Sequence, residues 1–309
     1  MAAGVLKNPK GEILLARRSP DSHQGGLWEF PGGKIEPGET ARQALLRELE
    51  EELGVGVEEC RPLIRVSHCY ADRKVVLNTW LVSRWRGEPQ GKEGQPLSWV
   101  PSHELYRWPM PAADKPILNA LRLPDTYLIT PPGVENQERF LGQLEEALKS
   151  GISLLQFRVF GLEAGRLEQL AREACLLCSE HGARMMLNGS LALARKIGAH
   201  GLHLDRRRLL SLRSREEYAD LLLSASCHNA RELRWVEHLG VDFAVLSPVL
   251  PTMSHPDAEV LGWERFRELC AEISVPVYAL GGMSADLLEQ SWAQGAQGIA
   301  GIRGLWPVL

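Results

Sequence analysis

The chain has 309 residues, 44% hydrophobic and 24% charged, which is long enough for two domains of ordinary size. With 35 basic and 39 acidic residues the net charge is −4, too little positive charge to grip a nucleic-acid polymer, so small phosphate ligands accompanied by magnesium are the better match. No run of about 18 apolar residues occurs, and the opening MAAGVLKNPKGE lacks the layout of a secretory leader, so neither export nor a membrane partner is expected.

Up to about Leu123 the pattern is mixed. An AGVL strand, preceded only by Met1 and Ala2, opens the chain. Strand-like runs at Glu12 to Leu15 (EILL) and Lys74 to Val82 (KVVLNTWLV) flank one strongly acidic helix, which predicts an α+β domain over residues 1–123. The helix lies within GKIEPGETARQALLRELEEELGV, from Gly33 to Val55. Its carboxylates Glu48, Glu51 and Glu52 stand at i, i+3 and i+4, so they share one face while Glu50 turns to solvent. By composition such a run is also a solvated helix face. As chemistry, three carboxylates and a glycine carbonyl from the preceding turn are the hard oxygen donors that magnesium takes. Gly32 and Gly33 let the backbone approach an ion closely, and Arg47 is placed to pin a turn carboxylate such as Glu39.

The wider spacing decides between these readings. Gly33, five residues, Glu39, seven residues, then Arg47-Glu48-Leu49-x-Glu51-Glu52-x-Gly54-Val55 resembles the full Nudix box at every defined position. Outside the box, Arg17-Arg18, LWEFPGGKIE (27–36) and RWRGEPQGKEGQP (84–96) resemble the MutT branch, the 8-oxo-dGTP diphosphatases, over about residues 3–123. The resemblance implies a mixed sheet sandwiched by helices. It also implies hydrolysis of a nucleoside triphosphate by water attack on the β-phosphorus, and a role in nucleotide-pool sanitation and thus DNA repair and replication fidelity. Mg2+, or Mn2+, would be held by the Gly32 carbonyl, Glu48, Glu51, Glu52 and the loop residue Glu93, with Arg47 supporting catalysis. Substrate contacts would fall on Arg18, His23, Glu29, Phe30, Pro31, Gly32, Arg73 and Asp114. At the last of these the family carries a purine-reading asparagine; an ionised aspartate only accepts hydrogen bonds, whereas a buried, protonated one also donates.

From Thr126 onward short apolar strands alternate with amphipathic helices, the signature of βα units. Eight strand candidates follow: YLIT (127–130), LLQFRV (154–159), RMMLN (184–188), GLHLD (201–205), LLLSAS (221–226), FAVLSPV (243–249), VYAL (277–280) and GIAGI (298–302). They predict a compact (β/α)8 TIM barrel over residues 126–309, joined through RLPD (122–125). The six cysteines, Cys60, Cys69, Cys175, Cys178, Cys227 and Cys270, are scattered through apolar stretches, as expected of reduced cytoplasmic thiols. Cys175 and Cys178 form one CxxC without a second pair, so helix packing is favoured over metal or redox work.

The barrel segments Gln156-Phe157-Arg158, GAHGLHLD (198–205), SASCHN (224–229), VLSPVLPTMSHP (245–256), ALGGM (279–283) and GAQGIAGI (295–302) resemble thiamine phosphate synthase and its relative the thiazole tautomerase. This implies a thiamine-related phosphate at the carboxyl ends of the strands. Glycine turns at Gly281-Gly282 and Gly301 suit a phosphate on backbone amides, or serve only as tight turns. The synthase's magnesium-binding aspartates fall on Asn188-Gly189 and near Arg208, and its lysine on His255, so synthase chemistry is expected to be degenerate. His228 is either the acid–base group of a tautomerase-like proton transfer or a structural histidine. His203 is expected to pack within its strand. Two alternatives to the leading nucleotide hydrolase follow: a thiamine-metabolism enzyme whose first domain acts on a thiamine-related diphosphate, and a hydrolase carrying a non-catalytic ligand-sensing barrel.

Overall fold

Side-chain alternation along the first strands decides how the amino-terminal domain is layered. The computed structural model describes residues 1–252 and 259–307. It divides into two units, Met1–Arg122 with Ala271–Ser274, and Leu123–Cys270 with Val275–Leu309. The first runs β1 (Ala2–Leu6), β2 (Glu12–Arg17), β3 (Trp28–Glu29), α1 (Ala41–Leu53), β4 (Gly56–Cys69), β5 (Lys74–Arg86), β6 (Leu97–Pro101) and α2 (Lys115–Leu121). Ala2 and Leu6 of β1 and Leu14 of β2 pack with Leu45, Leu49 and Leu53 of α1. Ala3, Val5, Ile13 and Leu15 point the other way, into a cluster with Ile117 and Ala120 of α2. Helices therefore cover opposite faces. The strands form two three-stranded sheets, β1-β5-β4 with β1 parallel to β5, and an antiparallel β3-β2-β6.

Helix α1 begins at a reciprocal cap: Gln43 N donates to Thr40 Oγ1 at 3.3 Å, and Thr40 N to Gln43 Oε1 at 2.8 Å. It ends at Gly54 in the left-handed region, φ 69°. The sequence shows β2 and β5 plainly but not β4. That strand carries Pro62 and register shifts at Val57/Glu59, Glu59/Cys60 and Pro62/Ile64, which break the alternation a strand is read by.

In the second unit all eight expected strands form: β7 (Thr126–Ile129), β8 (Leu154–Phe157), β9 (Arg184–Leu187), β10 (Gly201–Leu204), β11 (Leu222–Cys227), β12 (Phe243–Leu246), β13 (Val277–Leu280) and β14 (Gly298–Gly301). They close a parallel barrel in which β14 pairs β7. Around it, among the described residues, run α3 (Gln137–Lys149), α4 (Ala164–Glu180), α5 (Leu191–Ile197), α6 (Arg206–Ser211), α7 (Ala230–Leu239), α8 (Gly262–Ala271) and α9 (Leu288–Ala293). The interior is filled by Tyr127, Ile129, Leu154, Met186, Phe243, Val245, Tyr278 and Ala300, so it is a packed core rather than a pore. Strands of four to six residues and helices as short as six explain how the fold closes in so few residues. Cys175 and Cys178 lie on the buried side of α4 as free thiols, pushed above their usual pKa by burial. Among the described residues no helix is long and apolar enough to cross a membrane.

Candidate active site

Arg47 organises the acidic helix. Its Nε and Nη2 donate to the two oxygens of Glu39 at 2.8 and 3.0 Å, the bidentate grip that the spacing predicts. Nη2 also donates to the Lys34 carbonyl at 3.0 Å, while Nη1 reaches Glu51 at 3.0 Å and Glu48 at 3.1 Å. One guanidinium thus ties the turn to two of the helix carboxylates. Its bonds hold the Glu39 carboxyl at about 2, well below the usual range.

The glycines are needed for a reason beyond approach to an ion. A Cβ on Gly33 would lie 2.2 Å from the carboxyl carbon of Glu48, and one on Gly32, whose φ is +143°, 2.3 Å from the Ala2 carbonyl oxygen. Pro31 and Gly33 accept from the amides of Gly4 and Ala2, which pins the loop along β1. The Gly32 amide donates to Glu52 Oε2 at 3.1 Å. Burial pushes the Glu52 carboxyl up to about 7. The Gly32 bond opposes that rise; the charges of Glu48, Glu93 and Glu29 add to it.

Glu93 arrives on a loop fastened to the end of α1. Lys92 N and Gln95 Nε2 donate to the Glu52 carbonyl at 2.9 and 3.2 Å, and Gln90 N to that of Leu53 at 3.0 Å, filling acceptors a helix end leaves open. Gln95 has no sequence signal of its own. Glu50 is exposed, as expected. Among the described residues no three acidic, histidine or cysteine side chains converge into a finished metal cage. The donor set nevertheless suits a hard divalent cation: oxygen ligands only, and carboxylates close enough to raise one another's pKa.

A second cluster of charge lies nearby in sequence. Arg18 pairs with Glu29 and donates from Nε to the His23 carbonyl at 2.8 Å. Asp114 is buried, and burial followed by the Glu29 charge lifts its carboxyl to about 7, with Arg18 opposing. Glu29 is raised by burial as well. Aromatic rings accompany these groups: Trp28 meets Trp108 edge-on at 4.7 Å, and His23 meets Tyr70 at 5.1 Å. Tyr70 and Trp108 were missed in the sequence because single aromatics carry no spacing. Phe30, expected as a substrate contact, lies in the core with Trp28, Tyr70 and Trp108 packed against its cluster. Pro31 is buried and acts through its carbonyl. Arg73 is exposed and bound to its neighbour Asp72 at 2.9 Å, whose carboxylate also lies 3.6 Å from the His23 ring.

In the barrel, His203 is fully buried between Ser224 (2.9 Å) and Ser226 (2.8 Å), and burial pushes its imidazole down to about 3. His228 is exposed. Its ring Nδ1 donates to the Ser247 carbonyl at 2.8 Å, which leaves Nε2 as the acceptor. Gly281 and Gly282 have positive φ, and a Cβ on either would strike the segment from Pro248 to Pro251, so packing requires them. A Cβ on Gly301 would press on Leu305 at 3.1 Å. His255 lies outside the described residues.

Fold and site together define a Nudix hydrolase domain, the class that opens phosphoanhydrides, joined to a closed parallel barrel. Residues 2–120 match the NUDIX domain family and residues 126–305 the family described as thiamine monophosphate synthase. The 8-oxo-dGTP diphosphatase of Escherichia coli (strain K12) is 42% identical over 122 residues, 40% of this chain and 95% of that one. The CTP pyrophosphohydrolase of the same strain is 43% identical over 110 residues, 36% of this chain and 82% of that one. The thiamine-phosphate synthase of Thioalkalivibrio sulfidiphilus (strain HL-EbGR7) is 31% identical over 187 residues, 60% of this chain and 89% of that one. The chain therefore belongs to the Nudix family through its amino-terminal part and to the thiamine monophosphate synthase family through its carboxyl-terminal part.

Proposed function

We propose that the amino-terminal domain is a magnesium-dependent nucleoside triphosphate pyrophosphohydrolase that converts 8-oxo-dGTP and water into 8-oxo-dGMP and pyrophosphate, sanitising the nucleotide pool. The observation that carries this reading is the Arg47 fork, which fixes Glu39, Glu48 and Glu51 while the Gly32 amide fixes Glu52. Mg2+, or Mn2+, held by the Gly32 carbonyl, Glu48, Glu51, Glu52 and Glu93, would draw charge off the phosphates and lower the pKa of water. The chain's own part is to hold those carboxylates in place and to provide an acceptor for the proton that water loses. Water oxygen bonds to the β-phosphorus, the bond to the α–β bridging oxygen breaks, and the monophosphate leaves with that oxygen.

Asp114, Arg18, Glu29 and His23 form the base-side wall. A protonated Asp114 offers one donor and one acceptor, the complement of a cytosine edge, so cytidine triphosphate is the second reading; an ionised Asp114 complements the paired N–H groups of an oxidised guanine. The barrel retains a thiamine-related phosphate as its ligand class without synthase chemistry, since Gly189 and Arg208 replace the carboxylates that magnesium would need. Six free cysteines suit a reducing cytoplasm. Turnover of oxidised and normal nucleoside triphosphates and of thiamine diphosphate, scored for pyrophosphate against orthophosphate, tests the proposal. Preference for 8-oxo-dGTP with pyrophosphate release supports it. Orthophosphate release, or preference for thiamine diphosphate, overturns it.

A further inference from the structure

The oxygen donors proposed for the cation come from three separate segments: the glycine turn, α1 itself, and the loop of residues 87–96 that carries Glu93. They meet at Glu52. Its carboxylate accepts from the Gly32 amide at 3.1 Å, and its main-chain carbonyl accepts from the loop. The last carbonyls of a helix find no partner within it, so the loop docks on acceptors that α1 leaves open. Two of the docking bonds use backbone amides, which almost any residue supplies: Lys92 N to the Glu52 carbonyl at 2.9 Å, and Gln90 N to that of Leu53 at 3.0 Å. The third uses a side chain.

Gln95 Nε2 donates to the Glu52 carbonyl at 3.2 Å, and Gln95 Oε1 accepts from the Glu93 backbone amide at 2.9 Å. One primary amide thus spans from the end of α1 to the backbone of Glu93. The task demands a group that accepts and donates at once; an ionised Glu only accepts, and a Lys only donates. The loop is built closely around this side chain's backbone. A Cβ on Gly91 would lie 2.1 Å from the Gln95 carbonyl oxygen, and the Gly94 amide donates to the Gly91 carbonyl at 3.0 Å. Glu93 itself is exposed, yet its charge acts on the Glu52 carboxyl. An exposed loop carboxylate loses conformational freedom when it takes up a cation, and a backbone already fixed in place lowers that cost.

We propose, resting on the hydrolase reading, that Gln95 is a positioning residue: it sets the Glu93 backbone against α1 before the cation arrives, and so governs cation affinity rather than the chemical step. It acts through Glu93. Without the clamp, the cost of ordering the loop falls on cation binding, so more cation is needed to reach the same loaded site.

Titration of the full-length protein with Mn2+ alone, the free ion read by electron paramagnetic resonance, tests this in wild type, Gln95→Met, Glu93→Gln and the double variant. Met keeps the length of the side chain and removes both hydrogen bonds. Gln95→Met is expected to bind Mn2+ about tenfold more weakly than wild type. Added to Glu93→Gln, the same change should cost less than about twofold further, because the residue it acts through is already lost. Gly91→Ala presses on the Gln95 backbone and should weaken Mn2+ binding in the same direction, so the result does not hang on one variant. In turnover, the Mg2+ concentration for half-maximal rate should rise about tenfold in Gln95→Met, with kcat at saturating Mg2+ lowered by no more than about threefold. Wild-type Mn2+ affinity in Gln95→Met, with only faster hydrogen exchange in residues 87–96, would mark a merely structural clamp and overturn the proposal. A full additional loss in the Glu93→Gln background would overturn it too. No Mn2+ uptake by the wild type overturns both the proposal and the hydrolase reading; absent turnover with the Mn2+ pattern intact overturns the hydrolase reading alone.

Discussion

The acidic helix and the barrel mouth handle charge in opposite ways. On α1 the carboxylates outnumber their partners: Arg47 serves Glu39, Glu48 and Glu51 at once, and Glu52 is left with one backbone amide and a pKa lifted toward neutrality. At the barrel mouth the surplus is positive, and the groups beneath it are neutral and bonded to one another. A surplus of carboxylate calls for a cation from solution; a surplus of guanidinium calls for an anion. The two regions thus differ in the sign of the charge left uncompensated, and loss of turnover under a chelator is the response that the acidic helix predicts.

The strongest break comes from removing one negative charge at the first site. Glu52→Gln or Glu51→Gln is expected to lower kcat by on the order of 10³-fold with the circular dichroism spectrum unchanged. Full activity in both, measured as pyrophosphate release, would dissolve the contrast, because the helix would then be only a solvated face. Next in size is geometry. Gly33→Ala drives a methyl group onto the Glu48 carboxyl, 2.2 Å from its carbon, and is expected to cost about 10²-fold in kcat by displacing that oxygen donor. Arg47→Lys keeps the charge but loses the fork, so a loss of about tenfold in kcat is expected, with the loop at Glu39 loosened in hydrogen exchange.

A smaller effect sharpens the comparison through pH. Asp114 is a carboxyl whose folded pKa, about 7, lies above the ordinary Asp value. The folded state therefore holds its proton more tightly than the unfolded chain. Stability from this group is complete below about pH 4 and is lost as pH rises through about 7. Asp114→Asn removes that loss, so the variant should match the wild type at pH 4 and exceed it by on the order of 2 kcal/mol at pH 8 in urea titrations. Identical pH dependence in the two proteins would show that Asp114 is not held protonated. His203 gives a slope of the opposite sign: it is neutral in the folded state above about pH 3 but takes up a proton near 6.5 once unfolded, so its stability grows as pH rises toward 6.5, equally in both proteins.

What could be read from the sequence follows from which signals are local. The eight barrel strands were each found, because a fully buried strand is an uninterrupted apolar run bounded by turns, as in FAVL (243–246) and LLQF (154–157). Strand β4 was not, since Pro62 and three register shifts disrupt its alternation. The acidic face of α1 was visible as an i, i+3, i+4 pattern, and the Arg47–Glu39 grip followed from spacing. Long-range partners were not. Tyr70 joins His23 only through the β4–β5 hairpin, and the chain from Arg208 to His203 depends on barrel closure, which no spacing encodes. Phe30, a substrate contact by resemblance, is buried in the core cluster, a placement that its position in the motif does not encode.

The central claim, cation-dependent attack of water on the β-phosphorus at the acidic helix, is tested most directly by hydrolysing 8-oxo-dGTP in oxygen-18 water and weighing both products. The account predicts the label in pyrophosphate, none in the monophosphate, and no turnover once EDTA removes the cation. Label in the monophosphate, or turnover that survives the chelator, would contradict it.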